Sequence, residues 1–300
     1  CPNCFLACGN VTTVKQGPYK GLTIEGPEYE TIYALGGLNC LEKLEDVAYL
    51  NDICDRLGMD TMTAGNVTAF AIEAYKRGKI EYEVNYGQTE RIAGLLKLIA
   101  TREGIGELLA KGVRTASQEL GLEHLAVHVK GLEPGGYDPR VLKGIGLQYA
   151  VSSRGACHMR GTFHSAEMRG LIAPDAIEGK AKLFLENENK DVLFDSFILC
   201  RFFRSFYEWD ELVEVIRATT GLIMSQEDIK KTAQHITTQA RLFNVREGIS
   251  KKDDTLPARF FKEPLGPEGK LITEEELNTM RQEYYHLHGW NDEGIPILPV

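Results

Sequence analysis

Apolar residues recur at three- and four-residue intervals along most of the chain, the period of helices with one buried face. Between residues 41 and 58, Leu41, Leu44, Val47, Ala48, Ile53, Cys54 and Leu57 trace such a face, and Gly58 offers a stop. The same spacing predicts helices over residues 66–77, 89–100, 106–120, 209–219, 225–243 and 273–286. Thr273 followed three residues on by Glu276 forms a capping box ahead of Leu277 and Met280. Strand-like alternation is weak and falls on residues 79–86 and 124–129. Two stretches follow no period. Residues 9–39 are glycine-rich and interrupted by Pro18 and Pro27; residues 131–170 carry Gly135, Gly136, Gly144, Gly146, Gly155 and Gly161. The second also holds Arg140, Lys143, Arg154, His158, Arg160 and His164, a mix suited to ligand-facing loops. The expected fold is all-α: two multihelical domains, residues 1–125 and 126–300, with long irregular loops between helices.

Composition leaves that picture standing. The chain has 300 residues, 43% hydrophobic and 26% charged, enough apolar material for sizeable cores. It begins at Cys1 and not at Met, which points to processing or to excision from a longer protein. No apolar run approaches the roughly 20 residues that span a bilayer. No basic stretch leads into an apolar one at the start, so no secretory signal is read. The net charge is −9 and the basic residues are scattered, whereas nucleic-acid binding calls for a concentrated basic patch.

The seven cysteines change the picture. They stand at 1, 4, 8, 40, 54, 157 and 200. An odd number in a chain of this size does not suit a disulfide framework and points to a reduced, cytoplasmic compartment. Cys1-Pro-Asn-Cys4-Phe-Leu-Ala-Cys8 places three thiols within eight residues. Such a run supplies three ligands of an iron–sulfur cluster, which takes four, usually thiolates. Cys40, Cys54, Cys157 and Cys200 are the candidates for the fourth. A structural zinc site is the main rival, but it usually needs a second paired element, and none follows.

Taken in order, the motifs resemble one family, the tungsten-dependent aldehyde:ferredoxin oxidoreductases. The resemblance rests on the opening cysteines, Gly26-Pro-Glu-Tyr-Glu30-Thr, and Asp55-Arg-Leu-Gly58-Met-Asp60 followed by Gly65-Asn66. It continues through Lys130-Gly-Leu-Glu-Pro134, Tyr137-Asp-Pro-Arg140, Lys143-Gly-Ile-Gly146 and Ser153-Arg-Gly-Ala-Cys-His158-Met-Arg160. It closes on Asp195-Ser-Phe-Ile-Leu-Cys200, Arg241-Leu-Phe-Asn244-Val-Arg-Glu-Gly248 and Gly289-Trp290 with Gly294-Ile-Pro296.

The resemblance implies an oxidoreductase built from a β-rich domain, absent here, followed by two helical domains. It implies tungsten, or molybdenum, held by two pterins, with magnesium bridging the pterin phosphates and a [4Fe–4S] cluster alongside. Carried onto this sequence, Cys1, Cys4, Cys8 and Cys200 become the cluster ligands. Asp55, Gly58 and Asp60 form the first pterin motif, and Asp195 and Leu199 belong to the second. Met59 replaces the usual leucine of the first. Ile198 stands where the second has glycine, and a β-branched side chain resists a left-handed backbone, so the second motif is expected to depart from the first in geometry. Glu30 and His158 are the active-site groups implied near the metal, with Glu28 and His164 as competitors. Arg140 and Lys143 are expected either at phosphate or, equally, as surface charges, and the glycines of residues 131–146 allow close backbone approach to the pterin. The plainer reading makes Asp55 a helix-end carboxylate and Asp195 a helix cap.

The activity so implied is oxidation of an aldehyde to a carboxylic acid. Electrons pass to ferredoxin or another electron-transfer subunit, within a homo- or hetero-oligomer. Alternatives are a tungsten subunit that reduces an aromatic acyl-CoA, an electron-transfer module with a cluster and no tungsten, and a zinc-stapled helical binding module.

Overall fold

Helical period becomes helix along most of the chain. The computed structural model describes residues 1–297. The elements are β1 (Val11–Thr13), β2 (Thr23–Glu25), α1 (Tyr29–Thr31), α2 (Leu44–Leu57), α3 (Thr61–Lys76), α4 (Thr89–Thr101), α5 (Ile105–Leu109) and α6 (Gly112–Leu120). There follow α7 (Lys143–Val151), α8 (Phe163–Met168), α9 (Lys180–Ser196), α10 (Trp209–Thr220), α11 (Gln226–Arg246), α12 (Ala258–Lys262) and α13 (Glu274–Leu287). The mainly helical class expected from the pattern is what forms. The chain divides into two compact units, Cys1–Gly136 and Tyr137–Val300.

In the first unit, helices α2, α3, α4 and α6 bury one apolar cluster that includes Leu50, Cys54, Val67, Phe70, Ile92 and Leu95. α3 lies so close to a π-helix, Ile32–Gly36, that a Cβ on Gly65 would stand 2.2 Å from the carbonyl oxygen of Ala34. Only glycine permits that approach. Asp60 caps α3 by accepting from the Thr63 N–H at 2.7 Å.

The alternation over residues 79–86 is real but forms no strand. Ile80 and Val84 turn inward onto the helical cluster, and among the described residues no neighbouring strand takes up the backbone hydrogen bonds. Residues 124–129 likewise give a 3₁₀ turn, Glu123–Leu125, and one isolated bridge from Val129 to Leu132. The strands that do form lie inside the stretch that follows no period: β1 and β2 pair antiparallel with Val11 opposite Glu25. The helix expected over residues 106–120 breaks in two between Leu109 and Gly112.

In the second unit, α9 is flanked by α13, α11 and α7. Its residues Val192, Leu193 and Phe194 share an apolar cluster with Leu212, Ile216, Ile229 and Ala233 of α10 and α11. α9 also buries Lys180, Glu188, Asn189 and Asp191. Each charge has a partner. Lys180 bonds Glu167, whose carboxylate also accepts from the N–H groups of Gly144 and Ile145 at the start of α7. Glu188 accepts from Tyr284 at 2.8 Å and meets His288 at 3.1 Å. The capping box at Thr273 and Glu276 forms as the sequence predicts.

Candidate functional site

Glu30 sits at the join of α1 and the π-helix, an irregular helical geometry common at functional sites. Its Oε2 accepts from the Gly136 N–H at 2.9 Å. A Cβ on Gly135 would stand 2.7 Å from that same oxygen, and a Cβ on Gly136 would stand 2.9 Å from the Tyr33 ring. The two glycines therefore make a cradle that no larger residue fits. It is fixed from behind: Glu133 accepts from Val113 N–H at 3.0 Å and from the Thr63 hydroxyl at 3.2 Å. Burial raises the Glu30 pKa, against the lowering effect of the Gly136 bond. Glu28, its competitor, is exposed.

Cys1, Cys4 and Cys8 lie on a loop at the surface of the first unit, and none is in a disulfide. Two tight turns shape this loop, with Cys4 N–H bonded to Cys1 O and Ala7 N–H to Cys4 O. Asn3 and Ala7, the residues just before Cys4 and Cys8, both have a left-handed backbone. Among the described residues no three His, Cys, Asp or Glu side chains converge as a metal-binding group. The donor chemistry of the loop still suits a cluster, since it offers three unpaired thiols on a backbone that reverses twice. Cys200, also exposed and unpaired, belongs to the second unit.

Asp55, Gly58 and Asp60 share the α2–α3 junction and are exposed. Gly58 is left-handed, with φ 67° and ψ 35°. Its N–H bonds Asp55 O, and the Met59 N–H reaches back to Cys54 O. These two bonds define a Schellman helix end. Asp55 accepts from Asn51 at 2.8 Å.

The second motif ends α9 in the same way. The Ile198 N–H bonds Asp195 O, and the Leu199 N–H reaches back to Phe194 O. Ile198 takes φ 57°, so the expected departure from the first motif does not occur. The strain of a β-branched residue there is offset by the two chain-reversing bonds and by the anchoring of Leu199 in the apolar cluster. Asp195 is not a helix cap. It takes both forks of Arg201, Nε at 3.1 Å and Nη2 at 2.7 Å, with Arg160 at 3.5 Å.

His158, partly buried, lies in a group with Tyr137 and His164. The Tyr137 ring stacks on His164 at 3.9 Å and stands 5.7 Å from His158. Burial, aided by the Arg154 charge, lowers the His158 pKa to about 4. Burial and then the neighbouring His158 and Arg204 lower His164 to about 4 as well. Both imidazoles are neutral near pH 7. Arg140 and Lys143, expected at phosphate, each meet a carboxylate of their own unit: Asp138 at 2.6 Å for Arg140, and Glu276 for Lys143.

Sequence reasoning missed Arg201, Asp191 and Tyr137 as site residues. Arg201 directly follows Cys200, and Asp191 precedes Asp195 by one helical turn. That spacing becomes informative only once α9 is known to be a helix. Among the described residues no helix is long and apolar enough to cross a membrane.

Comparison with known proteins places these features in a family context. The family model described as aldehyde ferredoxin oxidoreductase, domains 2 and 3, matches residues 1–298. A tungsten-containing aldehyde ferredoxin oxidoreductase from Pyrococcus furiosus is 35% identical over 98% of this chain and 50% of its own length. The corresponding protein of Thermococcus kodakarensis is 33% identical over the same shares. A Pyrococcus furiosus protein named aliphatic sulfonate oxidoreductase, WOR-like subunit, is 28% identical. The chain thus spans about half the length of the curated relatives it matches. Among solved structures, the active site complex BamBC of benzoyl coenzyme A reductase matches with a TM-score of 0.76 at 21% identity. That match covers 99% of this chain and 50% of the other, and it shows a shared fold.

Proposed function

The chain belongs to the aldehyde ferredoxin oxidoreductase family, matching its domains 2 and 3, and on that premise we propose that it forms the helical part of an enzyme that oxidises aldehydes to carboxylic acids and delivers the electrons to ferredoxin. The observation that carries this reading is the repeated helix end: Asp55 with Gly58, and Asp195 with Ile198, present carboxylates from the same backbone geometry in each unit. Two equivalent carboxylates suit two equivalent pterins.

The net reaction takes an aldehyde and water to a carboxylic acid, two protons and two electrons. When bound, tungsten in a bis-pterin cofactor supplies the two-electron redox chemistry, and a [4Fe–4S] cluster on Cys1, Cys4, Cys8 and Cys200 supplies single-electron transfer to ferredoxin. The remaining work falls to side chains. Asp55 and Asp195 would accept hydrogen bonds from the pterin rings. Asp195 keeps lone pairs for this beyond those used by Arg201. Glu30, with its pKa raised by burial, is a stronger base than a solvated carboxylate and takes a proton from the attacking water. Gly136 N–H holds its Oε2 in place for that transfer. His158, neutral at pH 7, has one ring N–H to polarise the aldehyde carbonyl and one nitrogen to accept a proton. Tyr137 stands beside the imidazole, with ring centroids 5.7 Å apart.

The test uses the full-length protein prepared without oxygen. Viologen reduction on adding simple aldehydes is expected, with a large loss in Glu30→Gln and in His158→Ala at unchanged metal content. Full turnover in both variants would contradict the assignment. Silence with every aldehyde, together with turnover of an aromatic thioester, would move the substrate class.

A further inference from the structure

Arg201 ties together three parts of the second unit's candidate site: the Asp195 carboxylate, the buried Asp191 and the loop that follows His158. Its Nε and Nη2 fork onto Asp195 at 3.1 and 2.7 Å. Its Nη1 reaches Asp191 at 2.6 Å and donates to the Met159 carbonyl at 2.7 Å. The side chain is only 13% exposed. Asp191, almost fully buried, holds the same loop two and three residues further on: its Oδ2 accepts from Gly161 N–H at 3.0 Å and from the Thr162 hydroxyl at 2.7 Å. Met159 is the residue after His158, and Cys200 is the residue before Arg201.

We propose that Arg201 is a positioning residue that locks the His158 loop, the Asp195 carboxylate and the Cys200 backbone into one rigid assembly on the end of α9. The inference rests on the functional reading above, since that reading gives His158, Asp195 and Cys200 their tasks. The left-handed turn at Ile198 belongs to the same device, because it sends the chain back along α9 so that Arg201 reaches residues six and ten positions earlier. The planar guanidinium is the group that fits. It donates to two carboxylates and a carbonyl in fixed directions, which a lysine ammonium cannot do from one point. A bland ion pair would need one carboxylate and would leave the loop carbonyl untouched.

The test compares Arg201→Lys, Arg201→Met and a control, Arg217→Met, in the full-length holoenzyme. Arg217 pairs with Glu214 on an exposed face of α10 and serves no part of the site. Two quantities are read: amide hydrogen exchange of residues 157–164 and 198–206, and kcat against KM for an aldehyde. Arg201→Lys is expected to speed exchange in both segments together and to lower kcat about tenfold or more, with KM within about twofold, because misplacement of reacting groups acts on kcat. Arg201→Met is expected to show larger effects, and the control neither. Wild-type exchange in both segments of Arg201→Lys overturns the clamp. Faster exchange with an unchanged kcat reduces Arg201 to a stabilising ion pair and also overturns it. Should Arg201→Met fail to fold, Arg201→Lys decides alone. Absence of aldehyde turnover in the wild-type holoenzyme is a separate failure, which sinks the functional reading while exchange still reports on the clamp.

Discussion

Ile198 occupies in the second helix-end motif the backbone position that Gly58 occupies in the first. Each donates its N–H to the carbonyl three residues back, Asp195 in one case and Asp55 in the other. Their φ angles are 57° and 67°. The next N–H, of Leu199 or Met59, reaches five residues back to Phe194 or Cys54. Glycine is the ordinary occupant of such a position, and isoleucine holds it under strain.

That strain is measurable. The Ile198 side chain is 93% exposed, so its removal forfeits almost no burial. Ile198→Gly is expected to stabilise this chain by about 1 kcal/mol. Gly58→Ala is expected to destabilise it by about the same amount. Urea midpoints at an unchanged m value check both signs.

The cradle at Glu30 makes a second prediction. A methyl group at residue 135 would collide with the Glu30 carboxylate, 2.7 Å away. Gly135→Ala is expected to push that carboxylate aside and lower kcat by roughly a hundredfold, the usual effect of a displacement near 1 Å. The thermal midpoint should fall far less than in a core-cavity variant. Steady-state kinetics with a melting curve separates the two.

Glu30 also leaves a signature in pH-dependent stability. Burial raises its folded pKa above the ordinary value of 4.5. Its stabilising contribution is therefore full below 4.5 and is lost as pH rises through the folded value. Relative to Glu30→Gln, the wild type should lose stability over that window and stay level above it. Urea unfolding of both proteins from pH 4 to pH 8 gives the difference directly.

The histidines act in the opposite sense. His158 and His164 fall from 6.5 to about 4 on folding. Depressed values stabilise the fold above 6.5, and that contribution is lost as pH falls towards about 4. Each histidine contributes a slope of at most about 1.4 kcal/mol per pH unit between those limits. His164→Asn should flatten the acid side of the stability profile, and a double variant with His158→Asn should flatten it further. An unchanged slope in the double variant would mean that the pair is not buried neutral.

Much of the fold is legible from spacing alone because α2, α4, α10, α11 and α13 each keep one apolar face. α9 escapes for a physical reason. It buries Lys180, Glu188, Asn189 and Asp191 together with Phe184, Val192 and Phe194, so inward and outward positions do not differ in polarity. α7 escapes in the opposite way, since residues 144–151 are all buried and show no polar face. The candidate site was legible where chemistry is local: three cysteines in eight residues, or a carboxylate three residues before a glycine. It was illegible where it depends on α9. Arg201 and Asp191 stand ten residues apart and meet only because α9 is a helix that turns back at Ile198. Nor does the sequence hint that Gly135 and Gly136 exist to admit Glu30, which lies more than a hundred residues earlier.

The central claim is that Asp55 and Asp195 serve two pterins of one tungsten centre, with the four cysteines holding a cluster. Elemental analysis of the full-length protein, purified without oxygen, tests it most directly. Roughly four iron atoms per chain are expected, the content of one [4Fe–4S] cluster, together with tungsten or molybdenum at about one per chain. Iron without either metal, or zinc at about one per chain in place of both, would contradict it.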